Sequence, residues 1–257
     1  MIELKGISKT YNPGTVTEMC LFHDFDLTVK DGEFVSVVGS NGSGKTSLLN
    51  IICGSIPVDK GELLLDGKNI GKLPEFQRYR RIGRVYQDPA AGTCPHMTIL
   101  ENMSLADNKG KPFNLTRGVN RERKAFYQEQ LKTVGLGLED KMDALVGTLS
   151  GGQRQAVALI MTTLTPVDFL ILDEHTAALD PHTADIIMEI TDKVVKEKGL
   201  TAIMVTHNLR YAVEYGSRLL MMDKGQIVLD KAGEDKQKIA TEDLLDIFNR
   251  ISIECGN

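Results

Sequence analysis

The chain has 257 residues, 42% hydrophobic and 25% charged, which is typical of one large globular domain with a buried core. Its formal net charge of −5 argues against sequence-independent binding to the phosphates of DNA or RNA, so we expect no nucleic-acid partner. The longest unbroken apolar run, residues 156–161, falls well short of the roughly 20 residues that span a bilayer. The four cysteines lie far apart without a CxxC pair, which disfavours zinc binding and a disulfide framework.

The N-terminal third is predicted to contain strands, turns and one helix. The strand signals are alternating apolar and polar residues or β-branched runs. They occur at 2–4, 25–29, 33–38, 62–65 and 84–87. Residues 45–53 follow a glycine-rich loop and carry Leu48, Leu49 and Ile52 at helical spacing, which predicts a helix.

The rest of the chain divides into a helical part and an alternating part. Residues 121–134 place Phe126, Tyr127, Leu131 and Val134 at helical spacing, which predicts an amphipathic helix with a solvated charged face. Further along, apolar strands alternate with helices, which indicates a parallel sheet covered on both faces. The strands and helices predicted there are 169–172, 180–198, 202–205, 208–215 and 240–251.

The strongest chemical motif lies between strand 33–38 and helix 45–53. It matches G-x-x-x-x-G-K-[ST] and, with the next residue included, reads Gly39, Ser40, Asn41, Gly42, Ser43, Gly44, Lys45, Thr46 and Ser47. Glycines let the loop curl so that backbone N–H groups point inward, and the helix start adds its positive dipole end. Lys45 is expected to reach the β- and γ-phosphates of a nucleotide, and the Thr46 hydroxyl to bind Mg²⁺. A simple glycine turn is the alternative, which the Lys-Thr pair disfavours.

The predicted strand 169–172 runs into two acids, Asp173 and Glu174. In proteins with such a phosphate loop, the first acid at a strand end anchors Mg²⁺, which assigns Asp173. Glu174 lies further toward the carboxyl edge of the sheet, where ligands bind, and is placed to polarise a water molecule as a general base. The alternative is that the two acids cap the next helix.

A second glycine-containing helix start follows the helical part. The stretch 154–164 is amphipathic, and before it stand Leu149, Ser150, Gly151, Gly152 and Gln153. Ser150 can cap a helix, the glycines expose backbone N–H groups, and the helix dipole favours an anion. A chain with one phosphate loop has no evident need for a second helix N-terminus that is suited to binding an anion. The pattern therefore points to a second copy of the chain.

The phosphate loop (Walker A), the LSGGQ signature and the strand with two acids (Walker B) resemble, in this order, the ATP-binding-cassette (ABC) transporter ATPases. The resemblance runs from Tyr11 to about Gly225. It implies an α/β fold: a RecA-like P-loop NTPase parallel-sheet core, an N-terminal antiparallel β-subdomain and an inserted α-helical subdomain. Residues 1–257 would form one nucleotide-binding domain, with the core at 1–88 and 165–257 and the helical subdomain at 89–164.

The resemblance also implies ligands and a partner copy. ATP would be the substrate and Mg²⁺ the metal. Two cassettes of this family pack head to tail, so a homodimer is implied. The residues that would complete the ATP site in trans are Ser150, Gly151, Gly152, Gln153 and Asp180, the last in the loop that crosses the dimer interface.

Further positions match the family one at a time. Tyr11 resembles the aromatic residue that stacks on adenine, although a lone tyrosine fits a packing role equally well. Gln87 resembles the glutamine that touches Mg²⁺ and the attacking water, and His207 the histidine that contacts the γ-phosphate. The implied catalytic residues are Lys45, Gln87, Glu174 and His207, and the implied metal ligands are Thr46, Gln87 and Asp173.

One residue departs from the family pattern, because His175 stands where proline usually follows the catalytic glutamate. Together with the stretch 160–164, it resembles a less characterised branch of importer ATPases. That branch implies a separate integral-membrane permease, docked in a groove near Gln87 and 88–101, and a substrate-binding lipoprotein. The cargo would be a small solute, with aromatic amino acids as a candidate. Residues 1–6 lack the features of a secretory signal, so we expect a cytoplasmic chain, peripheral on the inner face of the membrane.

Other functions stay open at this point. A separately encoded exporter ATPase shares all these motifs. Family members acting in DNA repair separate the Walker motifs by a long coiled coil, and those acting in translation carry two cassettes in one chain; neither pattern occurs here. A non-hydrolysing binding module is disfavoured because every catalytic position is filled.

Overall fold

The computed structural model describes residues 1–111 and 118–254, with side chains up to residue 250. The strands, in chain order, are β1 (Ile2–Tyr11), β2 (Met19–Val29), β3 (Phe34–Gly39), β4 (Lys60–Leu65), β5 (Lys68–Asn69), β6 (Ile82–Val85), β7 (Phe169–Asp173), β8 (Ala202–Val205), β9 (Arg218–Asp223) and β10 (Gln226–Ala232). The α-helices are α1 (Lys45–Cys53), α2 (Glu75–Arg78), α3 (Ile99–Asp107), α4 (Lys124–Lys132), α5 (Gly151–Thr162), α6 (Pro181–Glu197), α7 (Leu209–Glu214), α8 (Gly233–Gln237) and α9 (Thr241–Glu254). Within the described ranges, no helix combines the length and apolar character needed to cross a membrane.

The central sheet has the strand order β10-β9-β3-β8-β7-β6. The four pairs from β9 to β6 are parallel, which confirms the sheet expected from apolar strands alternating with helices. Every residue of β3 and β8 is buried, as expected for strands covered on both faces. The carboxyl ends of β3, β7 and β8 meet at one edge of the sheet, which brings Gly39, Asp173 and the residues after Val205 together.

A second, antiparallel sheet has the order β2-β1-β4-β5. Its apolar face shares one buried cluster with α1 and the central strands; Ile2, Leu27, Leu48 and Leu220 are members. This sheet is the N-terminal β-subdomain implied by the family resemblance. It places Tyr11, at the end of β1, next to α1.

The helices α3, α4 and α5 share a separate apolar cluster with β7 and α6, and Tyr127 of α4 is fully buried within it. Two of these helices begin with capping boxes, formed by Thr98 with Glu101 at α3 and by Ser150 with Gln153 at α5. Each box satisfies backbone N–H groups that the helix itself leaves unpaired. The N-terminus of α5 is therefore capped by its own side chains.

The strand predicted at 84–87 begins and ends two residues earlier. Its parallel pairing with β7 ends at Val85, opposite Leu172. Gln87 therefore lies beyond the strand and is exposed, which leaves its side chain available at the edge of the sheet.

The helix predicted at 121–134 is shorter than expected. A 3₁₀ turn at Arg121–Arg123 precedes α4, and Phe126 is 37% exposed. Phe126 and Tyr127 are neighbours and cannot both point into the narrow buried stripe of one helix. Tyr127 is buried, whereas the ring of Phe126 lies under the guanidinium of Arg123, 4.3 Å from its centroid.

The strands β9 and β10 were not predicted. The strand β9 extends the parallel sheet beside β3, and β10 pairs with it in the antiparallel direction. The centre of β9 is a buried apolar run, like the strands that were predicted, whereas β10 alternates between exposed and half-buried residues as edge strands do.

Candidate nucleotide site

The loop at 39–46 connects β3 to α1. Gly44 is the N-cap of α1 with φ of +104°, and within the described part of the chain no side chain caps this helix. The first N–H groups of α1 are therefore available to an anion. Gly39 is required by close packing, because a Cβ there would lie 2.2 Å from the carbonyl oxygen of Met222 on β9.

Lys45, the first residue of α1, directs its ammonium group into the loop. Its Nζ donates hydrogen bonds to the carbonyl oxygens of Gly39 and Ser40, both at 2.8 Å. Burial lowers the pKa of Lys45, and the negative charge of Glu174 offsets this only in part. A partly desolvated cation beside the loop's N–H groups is suited to binding phosphate.

The two acids at the end of β7 take different conformations. Glu174 has φ of +48°, and its N–H donates to the carbonyl oxygen of Val205 at 2.9 Å. This turn brings Oε1 of Glu174 to 2.7 Å from Nε2 of His207. A left-handed conformation costs free energy in a residue other than glycine, and such strain is common at functional sites. The N-cap of α6 is Asp180, so the alternative that Asp173 and Glu174 cap the next helix is wrong.

Arg84 on β6 is a site residue that no sequence motif indicated. Its guanidinium Nη2 lies 2.6 Å from Oδ2 of Asp173, and the two side chains are only 8% and 14% exposed. Burial is the largest single effect and lowers the pKa of Arg84, but the hydrogen bond to Asp173 and the Coulombic attraction of Asp173 and its neighbours together raise the pKa, so the group stays charged. A charged residue within a predicted strand was the available signal.

Tyr11 and Gln87 lie on segments that are tied to helices. The Tyr11 hydroxyl donates to Oγ of Ser47 on α1 at 3.1 Å. Near Gln87, the side chain of Gln155 on α5 donates from Nε2 to the carbonyl oxygen of Tyr86 at 3.0 Å. No motif indicated Gln155, which links α5 to the segment that leads into Gln87.

The signature segment at 150–153 begins α5. The hydroxyl oxygen of Ser150, an exposed residue, accepts the N–H of Gln153 at 3.2 Å. Gly152 is required by packing against α6, because a Cβ there would lie 2.3 Å from the side chain of Thr183. The helix start is therefore exposed at its tip and tightly packed one residue later.

The predicted site residues fall into two groups. At the carboxyl edge of the central sheet lie the loop 39–46, Asp173, Glu174 and His207, with Tyr11 and Gln87 on adjoining segments. Residues 150–153 lie at the start of α5, and Asp180 lies at the start of α6. The two segments pack closely, because a Cβ on Gly151 would lie 3.1 Å from the side chain of Leu179. Across residues 1–111 and 118–250, no hydrogen bond or salt bridge joins 150–153 to the loop 39–46.

The donor atoms at the carboxyl edge fit a magnesium ion. Asp173 offers a carboxylate, Thr46 a hydroxyl and Gln87 an amide oxygen, and these are the hard ligands that Mg²⁺ prefers. Among the described residues, no cluster of three or more His, Cys, Asp and Glu side chains is placed to hold a metal ion. In general, Mg²⁺ keeps several water ligands and binds through one or two carboxylates together with substrate phosphates.

His175, which stands in place of proline, is 2% exposed. Its Nε2 lies 3.0 Å from Oγ1 of Thr191 on α6, whose hydroxyl donates to the carbonyl oxygen of Ile187. Burial lowers the pKa of His175 to about 4, so the ring is neutral at pH 7. This neutral hydrogen bond anchors the segment that follows Glu174 to α6.

The burial of His175 predicts a pH dependence of stability. Its pKa is about 4 in the folded chain and 6.5 in the unfolded chain, so the unfolded state binds more protons between these values. The contribution of neutral His175 to the free energy of unfolding is complete above pH 6.5. It is lost as the pH falls toward 4, with about 1.4 kcal/mol lost at pH 5.5. Thermal melts at pH 7.5 and 5.5 should show a smaller drop for His175→Gln than for the wild type.

The control for this experiment is His182→Gln, which removes an exposed histidine from the first turn of α6. This variant should keep the full drop in melting temperature between the two pH values. An equal drop in wild-type and His175→Gln protein would show that His175 does not titrate as its burial requires.

Two features of the sheet define the class of protein. A buried parallel strand leads through a glycine loop and a lysine into a helix, and a nearby strand ends in two acids. This combination defines a P-loop nucleotide-hydrolysing enzyme. The ABC transporter family matches residues 22–177. The chain belongs to the ABC transporter family, as an ATP-binding subunit that hydrolyses ATP.

Individual relatives and structures support this assignment. A tyrosine transport ATP-binding protein of Clostridioides difficile (strain R20291) is 45% identical over 248 residues, which cover 96% of this chain and 98% of that protein. The spermidine/putrescine import ATP-binding protein PotA of Haemophilus influenzae (strain ATCC 51907 / DSM 11121 / KW20 / Rd) is 33% identical over 230 residues, covering 90% of this chain and 57% of PotA. A dimeric post-hydrolysis state of the ATP-binding cassette MJ0796 bound to ADP and Pi has a TM-score of 0.75 and 31% identity, covering 90% of this chain and 98% of that one. The family and fold expected from the three motifs are confirmed.

Proposed function

We propose that two copies of this chain pack head to tail and hydrolyse ATP at two shared sites, energising uptake of a small solute through a separate permease. The observation that carries the proposal is the division of the predicted site residues into two groups. An exposed helix start with bare glycines is suited to a phosphate, and a second copy of the chain would supply one. The dimeric state of the similar cassette supports this arrangement.

Lys45, Glu174 and His207 carry the chemistry in this proposal. Lys45 exchanges its hydrogen bonds with the loop carbonyls for phosphate oxygens and neutralises their charge. Glu174 orients the attacking water and accepts its proton, while His207, 2.7 Å away, holds the carboxylate in place. Positioning and electrostatics dominate because phosphoryl transfer asks for little covalent chemistry from the protein.

Thr46, Gln87 and Asp173 are the proposed ligands of Mg²⁺, which when bound neutralises charge on the phosphates. Tyr11 is the proposed adenine contact, and its hydrogen bond to Ser47 fixes the ring beside the phosphate loop. The residues proposed to close over the nucleotide from the second copy are Ser150, Gly151, Gly152, Gln153 and Asp180.

The permease is proposed to dock in a groove between β6 and the helical part. A cavity of about 760 Å³ lies there, and it is lined by Tyr86 and by both apolar and basic side chains, among them Phe76, Leu105, Met161, Arg80 and Lys109. Phe76 is 65% and Leu105 52% exposed, which suits the apolar face of a helical segment. Tyr86 precedes Gln87, so an occupant of the groove would lie beside a proposed metal ligand.

The proposed cargo is an amino acid, with aromatic amino acids favoured. Similarity along almost the whole chain to a tyrosine transport protein supports this choice, and similarity to PotA, an import ATP-binding protein, supports import. A substrate-binding lipoprotein is the proposed third component, and the chain would act on the cytoplasmic face of the membrane. Cargo selection would belong to the permease and the binding protein, since ATP occupies the site described above.

Affinity co-purification from native membranes tests the partners. The wild-type chain is expected to retain an integral-membrane permease and a lipoprotein, and cells with this complex should accumulate labelled tyrosine in preference to methionine or spermidine. Phe76→Asp should lose the permease while keeping basal ATPase activity, because it replaces an exposed apolar ring of the groove with a charge.

The matched control is Val228→Asp on the edge strand β10, where the side chain is 46% exposed. This variant should keep both the permease and uptake. Efflux of labelled solute would contradict import, and permease binding by Phe76→Asp protein at the wild-type level would contradict docking in the groove.

A further inference from the structure

Arg84 lies on β6, beside the strand that ends in Asp173. We infer that Arg84 is the counter-ion of Asp173, holding its carboxylate in one orientation and weakening the site's affinity for magnesium, so that the metal binds firmly only together with nucleotide phosphates. The inference rests on the proposed role of Asp173 as a metal ligand. It assigns to Arg84 a positioning and tuning role that none of the sequence motifs contains.

The geometry holds the guanidinium from three sides. Nη2 donates to Oδ2 of Asp173 at 2.6 Å, and Nη1 donates to Oδ1 of Asn50 on α1 at 2.9 Å. The guanidinium carbon lies 4.9 Å from the centroid of the Tyr86 ring, and the Tyr86 hydroxyl lies 3.0 Å from that of Tyr79. Arg84 thus links β6, β7 and the helix that follows the phosphate loop.

Fold stability alone gives a weak reason for this pair. A buried ion pair loses most of its Coulombic gain to desolvation, and apolar residues of similar volume are often as stabilising. Here the guanidinium is also incompletely satisfied, because Nε of Arg84 is buried without a hydrogen-bond partner among the described residues. A costly arrangement directly on a proposed metal ligand points to a role in the site.

The charge arrangement determines the direction of the effect. Arg84 occupies one oxygen of the Asp173 carboxylate and leaves Oδ1 for the metal or its water. Its positive charge, held within hydrogen-bonding distance of the same carboxylate, repels an arriving divalent cation in a partly desolvated site. Nucleotide phosphates supply the negative charge that overcomes this repulsion, so the cation and the nucleotide should bind together.

The test measures the dissociation constant of a fluorescent ATP analogue twice, in EDTA and in excess Mg²⁺. The quantity compared is the ratio of the constant in EDTA to the constant in Mg²⁺. This ratio reports how strongly the metal contributes to nucleotide binding, and a purely structural change would alter both constants alike. Arg84→Met is expected to raise the ratio about tenfold, since it removes the competing charge while keeping an unbranched side chain. Arg84→Lys keeps the charge and should leave the ratio near the wild-type value.

Three further single variants and one double variant separate the possible outcomes. Arg81→Met is the matched control, because it breaks the exposed ion pairs with Asp66 and Asp168 just before the same strand and should leave the ratio unchanged. Arg84→Gln keeps hydrogen-bonding atoms without the charge, so it replaces Arg84→Met if that variant does not fold. Asp173→Asn should lower the ratio and abolish the effect of Arg84→Met in the double variant.

Each result decides one claim. An unchanged or lowered ratio in both neutral Arg84 variants would overturn the inference, provided that Asp173→Asn lowers it. An unchanged ratio in Asp173→Asn would instead overturn the proposed metal role of Asp173.

Discussion

Replacing Glu174 with glutamine is expected to lower ATP turnover by roughly 10²–10⁴-fold while leaving ATP binding intact, because an amide cannot accept the proton of the attacking water. Gln matches Glu in shape and can still accept a hydrogen bond from His207, which lies 2.7 Å from the carboxylate. The left-handed backbone at this position, with φ of +48°, is therefore perturbed as little as a substitution allows. A steady-state phosphate-release assay measures turnover, and filter binding measures ATP affinity.

The same variant should accumulate as a dimer in gel filtration with Mg-ATP. If hydrolysis opens the pair of chains, slow hydrolysis lengthens the lifetime of the closed state. Adding Ser150→Asn should remove this dimer, since asparagine still caps α5 but is bulkier where the partner's phosphate would lie.

The control is Glu189→Gln, which neutralises an exposed acid on α6. It should hydrolyse ATP at the wild-type rate and elute in Mg-ATP as the wild type does. A Glu174→Gln chain that stays monomeric and fully active would contradict the assignment of the general base. A dimer insensitive to Ser150→Asn would contradict the head-to-tail arrangement.

Lys45→Ala should lose about 3–4 kcal/mol of transition-state stabilisation, which is two to three orders of magnitude in turnover, by analogy with the loss of one oxyanion donor. The ammonium group is buried inside the loop and donates to two carbonyl oxygens that a bound phosphate would replace as partners. Alanine removes the charge without adding a group that could substitute for it. Phosphate release at saturating ATP measures the loss.

Two comparisons keep this result interpretable. Lys72→Ala removes an exposed lysine and should leave turnover unchanged. Lys45→Met keeps the side-chain length, so equal losses in Lys45→Ala and Lys45→Met show that the charge, and not the packing, is responsible. Normal turnover in either Lys45 variant would contradict the assignment of the phosphate site.

The parts of the fold that depend on local pattern were predictable. The bounds of α1 and β8 match their predictions, because both lie between clear turn signals and carry uninterrupted apolar spacing. The end of β6 was wrong by two residues, since it depends on where β7 stops pairing with it. The helix predicted at 121–134 was too long, and of the two adjacent aromatic residues in its apolar spacing only Tyr127 is buried, because helical spacing alone does not choose between Phe126 and Tyr127.

The candidate site shows the same division. The phosphate loop and the Walker B acids could be recognised because each is a short, contiguous run whose backbone chemistry is specified by its own residues. The Arg84–Asp173 pair spans 89 positions, and it forms only because β6 and β7 lie side by side in the sheet. The anchoring hydrogen bond from Gln155 to Tyr86 spans 69 positions and depends in the same way on the packing of α5.

The sequence alone was therefore sufficient to establish the chemical class of this chain. Its phosphate loop, its two acids and its second helix N-terminus suited to an anion are each encoded within a few neighbouring residues. The packed fold was needed to show how these pieces relate. It pairs Glu174 with His207 and places Arg84 against Asp173. It also buries His175, whose neutral ring forms a hydrogen bond with α6. Short motifs carry their own geometry, whereas contacts between distant residues depend on strand order and helix packing, which the whole chain establishes cooperatively.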